Sequence, residues 1–400
     1  MSRSALTSIS TVDHLRAAWE HVYGKASQSS RLTIGSDGES LNSARPHIGD
    51  ELGRLSFELR RQKFAFRPLR AVVIRKENGK NRVICVPTVR DRIVQRSLLM
   101  YLSKLDKLRI LNKASYGFIP GLSSPVEAAG QYARRLRKAH PWVYKTDISA
   151  FFDNIPRGML IAKIDAGVRA PTIRRLLGQA VECEIGGASK STQKKIKDAG
   201  IIEGQGVRQG MPLSPLFANF LLREFDRAMI RKGLNMVRYA DDLIFMADSD
   251  EDCRAIHSLC KVELAKLKLT VPELGPNSKT QIYPPAESAE FLGVELAKEG
   301  SGYILQVGKA VFDDIKAEIL SYGDLGKLNR EGIDIRKFGT KLTAIKGGYG
   351  PTYDYCANGE MLMNSIDGWT RQAAQELFRK GFQVDLGKLT PDQAKFLGIG

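Results

Sequence analysis

The chain has 400 residues, enough to bury a full core and divide into two or three subdomains, and its 43% hydrophobic and 26% charged residues are an ordinary soluble composition. No apolar run approaches a membrane span and the Ser-rich start lacks a signal-peptide core, while five cysteines without a CxxC pair read as reduced thiols of a cytoplasmic protein. The net charge of +17 is uneven: residues 54–113 carry 17 Lys/Arg against four Asp/Glu, a one-sided block within a folded pattern that points to a polyanion, nucleic acid first.

In chain order, residues 1–45 give a short helical pattern (Leu15, Ala18, Trp19, Val22) and then a Ser/Gly-rich linker, "SQSSRLTIGSDGES". Residues 69–86 read as a hairpin turning at "ENGK". Pro87-Thr88 opens a helix with its stripe at Val94, Leu98, Tyr101, Leu102 and Leu105. "WVYKTDI" is a short strand ending in an acid. "PLSPLFANFLLREFDRAMIRKG" is a helix with Ser214 as cap, Pro215 in its first turn, Gly233 as stop, and Leu216, Phe220 and Phe225 on its buried face. A hairpin over 237–246 follows, then a helix from Ser249 to Leu267 with capping-box spacing at Ser249 and Asp252. "AEFLGVELAKEGSGYILQV" is another hairpin. From 309 onward the pattern is helical, interrupted at "IKGGYGPTYDYC", and no internal repeat or low-complexity tract is visible.

The hairpin "MVRYADDLIF" places Asp241 and Asp242 side by side in an apolar run. A polar hairpin tip is the bland reading, since Asp serves turns. A divalent metal is the alternative, because its charge offsets the repulsion of adjacent carboxylates. A third acid is available in "YKTDISAFFDNIP", where Asp147 closes a strand. If the two strands neighbour one another, three carboxylates hold two Mg²⁺ roughly 3.5–4 Å apart, one activating a hydroxyl and one stabilising pyrophosphate. Mg²⁺ suits so sparse a ligand set, because water and phosphate oxygens complete its octahedron.

These segments occur together with "GVRQGMPLSPLFANFLL", "RYADDLIFM", "NSKTQI" and "AEFLGVEL" in the order of the motifs of bacterial reverse transcriptases, and "NRVICVPTVRDRIVQRSLL" is similar to the fingers motif of group II intron-type enzymes. The resemblance covers roughly residues 35–300. It implies an α+β right-hand polymerase fold with fingers, a palm of antiparallel sheet with helices on one face, and a helical thumb. The implied division is an N-terminal extension over 1–34, fingers and palm over 35–300, and thumb and C-terminal region over 301–400. Activity, by resemblance, is RNA-directed DNA polymerisation with two Mg²⁺, Mn²⁺ being a substitute.

The resemblance also assigns residues. Asp147, Ile148, Asp241 and Asp242 bind metal. Arg82, with Arg75 or Lys76 across the hairpin, clamps the triphosphate, as guanidinium and ammonium groups suit phosphates. Phe152 matches the steric gate that leaves no room for a ribose 2′-OH, against the alternative of an ordinary core ring. Gln209 and Gly210 line the templating base pair, Gly allowing close backbone approach. Lys279 matches a general acid that protonates pyrophosphate. "FLGVEL" is the primer-grip hairpin.

Without a nuclease segment, much length beyond the thumb, or the NAxxH and VTG signatures of retron enzymes, the chain looks similar to stand-alone reverse transcriptases of antiphage defence. Their implied partners are a companion structured non-coding RNA as template, the cDNA product and deoxynucleoside triphosphates, with no membrane. A retron or group II intron-derived enzyme is the alternative, as is a non-catalytic, maturase-like RNA-binding protein. An RNA polymerase or nucleotide cyclase on the same palm is disfavoured by Phe152 and by the basic segment.

Overall fold

Strands β1 (Arg70–Arg75) and β2 (Asn81–Val86) form the expected antiparallel hairpin, in a computed structural model that describes residues 5–75, 79, 81–104, 112–119, 121–384 and 386–396. The chain divides into two compact units. The first comprises residues up to 125 with 146–245 and 254–281; the second comprises 126–145, 246–253 and the residues from 282 onward.

In the first unit, the helix Val12–Lys25 packs on the helix Val89–Leu102 and buries Leu15, Ala18 and Trp19. Thr11 and Thr88 cap these two helices, their hydroxyls accepting from the N–H groups of His14 and Asp91. Buried Ser97 and Ser56 donate to the carbonyls of Ile9 and Ser10, which fastens the N-terminal segment. The Ser/Gly-rich stretch after residue 26 is not the structureless linker its composition suggests. Ser27 caps a short helix, Gln28–Leu32, and Ser40 forms a reciprocal capping box with Ser43. Serine there serves helix starts, a role that composition does not separate from linker use.

The central sheet runs in the order β4 (Asn235–Tyr239), β5 (Asp242–Ala247), β3 (Trp142–Asp147), β6 (Gln281–Tyr283). Behind it in sequence, the helix Ser214–Arg231 buries Leu216, Phe217, Phe220, Leu221 and Phe225, each such side chain contributing about 1.5–3 kcal/mol. Its cap differs from expectation. Leu213 holds the N-cap position, while Ser214 lies one residue inside and donates to the carbonyl of Arg208. The helix Asp250–Ala265 starts as read, Ser249 accepting from the Asp252 N–H at 3.0 Å.

In the second unit, β7 (Ala289–Phe291), β8 (Val294–Glu299) and β9 (Gly302–Gln306) form an antiparallel meander. The two residues joining β7 and β8, Leu292 and Gly293, both have positive φ (56° and 81°), the tight-hairpin geometry that favours Gly. Arg137 is fully buried here. It donates to the carbonyls of Leu296, Pro284 and Glu287, and its guanidinium lies 4.4 Å from the centroid of the Tyr303 ring. Helices Lys309–Ser321, Leu325–Glu331, Ile335–Tyr353 and Gly359–Glu376 follow, with Asp324 and Asp334 capping the second and third. The expected interruption at "IKGGYGPTYDYC" is absent until residue 353. Pro351 sits in the last turn of Ile335–Tyr353; it has no N–H for the carbonyl four residues back, and the helix ends two residues on.

All five cysteines are buried, and none is in a disulfide. Among the described residues, no helix is long and apolar enough to cross a membrane.

Candidate active site

Asp147 ends β3 and the turn Ala240–Asp241 joins β4 to β5, and the backbone ties these two places together: the Ile148 N–H donates to the Asp241 carbonyl at 3.1 Å. Beneath them, Thr146 and Thr280 share a buried hydroxyl–hydroxyl bond of 2.7 Å, which brings the segment carrying Lys279 alongside β3. The Lys279 ammonium donates to Oδ2 of Asp147, while Oδ1 of Asp147 is buried without a hydrogen-bond partner. Asp147, Ile148, Asp241, Asp242 and Lys279 thus lie in one neighbourhood.

The electrostatics agree with that geometry. Burial, chiefly, pushes the Asp241 carboxyl above its ordinary value. Its own backbone N–H opposes this, the charge of Asp147 adds to it, and Lys279 and Arg82 pull the other way. Lys279 is raised by its bond to Asp147, with burial opposing and all three aspartates assisting. An orphaned carboxylate oxygen and a hard oxygen donor set fit a small divalent cation. Among the described residues, no three acidic, His or Cys side chains close into a ready cage. The ammonium of Lys279 is the positive group bonded to Asp147 among the described residues.

Phe152 lies in the helical turn Phe151–Asn154, entered through Ala150 in a left-handed conformation (φ 43°). Phe151 takes the core position at 2% exposure, leaving Phe152 half-buried, with its carbonyl accepting from Val207 N–H at 2.7 Å.

Arg82 and Gln209 are brought together, Arg82 Nε donating to Gln209 Oε1 at 3.1 Å. The Gln209 carbonyl in turn accepts from the Cys85 N–H at 2.7 Å, attaching the loop to β2. Gly210 (φ 104°) follows, and a Cβ there would stand 2.4 Å from the Cys85 carbonyl oxygen. Close approach does explain this glycine, and its neighbour is the backbone of β2. Arg75 is not brought to Arg82. The register pairs Arg75 with Asn81 and Ile74 with Arg82, so alternation puts the two arginines on opposite faces of the hairpin. Lys76 lies outside the described residues.

Two arginines escaped the sequence reading. Arg208, 1% exposed, donates to Glu184 and to the Ile202 carbonyl and so braces Gln209. Arg238, fully buried, grips Asp226 at 2.7 and 2.6 Å just before the acidic turn. Strand alternation would have turned Arg238 to solvent, but Met236, Val237 and Arg238 are all buried. The available signal was a pair of polar residues seven apart, Asn219 and Asp226, on the buried face of the helix Ser214–Arg231.

Comparison with known proteins agrees with these motifs. Protein YkfC of Escherichia coli (strain K12) is 26% identical over 68% of this chain and 77% of its own length. The group II intron-encoded protein LtrA of Lactococcus lactis subsp. cremoris is 24% identical over 60% of this chain, which spans about half (49%) of that protein. Among solved structures, a partial Cas6-RT-Cas1--Cas2 complex aligns over 67% of this chain and 42% of that one, with 25% identity and a TM-score of 0.37. The model of the family described as reverse transcriptase (RNA-dependent DNA polymerase) matches residues 74–296. That span runs from the end of β1 into β8 and takes in every acid, the Phe152 ring, the Arg82–Gln209 pair and Lys279. The chain belongs to the reverse transcriptase family and is, as an enzyme, an RNA-directed DNA polymerase.

Proposed function

We propose that this protein copies a companion structured non-coding RNA into DNA with two Mg²⁺, in the service of antiphage defence. Reverse transcriptases work with divalent metals. Asp147, Asp241 and Asp242, with the backbone of Ile148, would hold them. When bound, the ions supply activation of the primer hydroxyl and charge neutralisation at pyrophosphate. The observation that supports the metal-binding part of this reading is the pairing of a buried, partnerless Asp147 Oδ1 with an Asp241 carboxyl held above its ordinary value by burial and by Asp147. Around it, Arg82 with Gln209 would receive the triphosphate, Phe152 would exclude the ribose 2′-OH, and Lys279 would carry a proton toward pyrophosphate. Gly210 would sit against the templating base pair. In the same proposal residues 1–34 are an N-terminal extension, 35–300 fingers and palm, and 301–400 thumb and C-terminal region, in a cytoplasmic protein.

The test is primer extension on RNA with deoxynucleotides and Mg²⁺, with Asp241→Asn beside the wild type. Full extension by that variant would sink the assignment. A second reading, an intron-derived enzyme, is favoured by the similarity to the intron-encoded LtrA. Sequencing the RNA that copurifies separates the two. An intron RNA supports the second reading, and an enriched structured RNA encoded beside the gene supports the first.

A further inference from the structure

Arg238 spends every one of its five N–H donors inside the protein. Nε and Nη2 fork onto the two oxygens of Asp226 at 2.7 and 2.6 Å, and Nη2 also donates to Ser115 Oγ at 2.9 Å. Nη1 donates to Asn219 Oδ1 and to the carbonyl of Ala240, both at 3.0 Å. The partners are themselves held. Asn112 donates to Asp226 Oδ2 at 2.8 Å, and Asn219 donates to the Gly117 carbonyl at 3.0 Å. The backbone of Arg238 bridges the same segment, accepting from Tyr116 N–H and donating to the Ala114 carbonyl.

Ala240 is the reason this hub matters. It is a non-glycine residue in the left-handed region (φ 56°), directly before Asp241 and Asp242. Such a conformation persists only where its surroundings over-determine it. They do so from two sides here. Arg238 holds the Ala240 carbonyl, and Gly117 presses so closely that a Cβ on it would come within 2.6 Å of the Ala240 N. A buried ion pair is a weak device for stability, since apolar groups of similar volume often replace it without loss. It is an effective device for fixing one geometry.

We infer that Arg238 is a positioning residue for the acidic turn: locked by Asp226, Asn219 and Ser115, it holds the Ala240 carbonyl and so sets the directions in which Asp241 and Asp242 present their carboxylates to metal. This rests on the proposal that those aspartates are metal ligands. The charge of Arg238 is matched by Asp226, so its action is geometric. It reaches the reaction through Ala240 and touches no substrate.

The experiment replaces the pair together, Asp226→Leu with Arg238→Met, and follows three quantities on the full chain: the melting temperature, the Mn²⁺ dissociation constant of the metal-free protein by electron paramagnetic resonance, and primer extension. Supporting partners of metal ligands govern affinity by roughly 10- to 100-fold, and a loss of that size is expected in a protein that still melts cooperatively. Extension should fall with it and recover in part at high metal. Should the pair variant fail to fold, Ser115→Ala and Asn219→Ser remove single acceptors from the hub, and each should weaken Mn²⁺ binding by a smaller factor. Wild-type Mn²⁺ binding in the folded pair variant, or in both single variants, overturns the inference. Failure of the underlying proposal looks different: Asp241→Asn would then leave Mn²⁺ binding unchanged.

Discussion

Lys279 donates its ammonium to Oδ2 of Asp147, so the strand-end aspartate already has a cation at one of its two oxygens and none at the other. Lys279 is 76% exposed and sits on the segment leading into β6, free to swing away. The bond, together with the three aspartates, raises its pKa and keeps it protonated. Under the proposed function it is thus stored with its proton beside the place where pyrophosphate would leave.

Lys279→Met should therefore separate two effects. Metal binding should hold or tighten, because the competing ammonium is gone. The maximal extension rate should drop about 10²-fold or more, the usual scale for a general acid. Titrating Mg²⁺ in steady-state extension assays gives both numbers, and a rate at wild-type level would confine Lys279 to pairing with Asp147.

Asp241 makes a pH prediction. Burial and Asp147 disfavour its charged form, so the folded protein holds that proton more tightly than the unfolded chain does. Its contribution to stability is full below the ordinary carboxylate range and is lost as pH rises through the elevated value. Metal-free protein should accordingly gain stability on mild acidification in that window. Asp241→Asn should flatten the dependence, raise the melting temperature at neutral pH without metal, and abolish extension. Thermal melts across pH in chelator, for wild type and variant, decide it.

Phe152→Ala tests the gate. The ring is half-buried while its neighbour Phe151 fills the core, so truncation should cost little stability. Ribonucleotide use should rise, with a modest fall in deoxynucleotide use. Competition assays with both nucleotide classes measure it, and unchanged discrimination would remove the assignment.

The sequence was most legible where chemistry dictates residue type. The proposed metal site calls for acids, so Asp147, Asp241 and Asp242 stand out from apolar runs, and Ser249 and Thr88 mark helix starts because caps need an oxygen. It was least legible where geometry decides. Nothing in "VVIRKENGKNRV" alone reveals that Arg75 faces Asn81 and turns away from Arg82, since one residue of register flips every side chain. Alternation alone would put Arg238 on a wet face, but β4 buries Met236, Val237 and Arg238 in succession. Ser27 and Ser40 carried linker composition and helix-capping function at once.

Gly210→Ala should act on phosphate binding from a distance. At φ 104° and 2.4 Å from the Cys85 carbonyl oxygen, a methyl group forces the loop off β2. Gln209 moves with it and releases Arg82. The KM for deoxynucleotides should rise several-fold, with a loss of about 1–3 kcal/mol in stability from the strained backbone. A KM at wild-type level in a folded Gly210→Ala protein would disconnect the loop from the nucleotide.

The basic segment calls for a smaller estimate of RNA contact than its charge suggests. Arg90 is engaged by Glu58 and Glu51, Arg67 by Asp37, Arg92 by the Pro87 carbonyl and Arg82 by Gln209. Arg60, Arg61 and Lys63 are exposed at the end of the helix Ile48–Arg60, and Arg61 lies 4.7 Å from the centroid of the Phe57 ring, itself 57% exposed. A cation over an exposed ring offers single-stranded RNA both a phosphate partner and a stacking face. Each phosphate neutralised on a single strand steepens the salt dependence of binding by about 0.7 in logarithmic slope. Replacing Arg60, Arg61 and Lys63 by Ala should therefore flatten that slope by about 2 and weaken unrelated RNAs about equally. Phe57→Ala should instead weaken single-stranded RNA while leaving the slope intact. Filter binding across a salt series measures both, and a triple variant with the wild-type slope would place the RNA on another face of the protein.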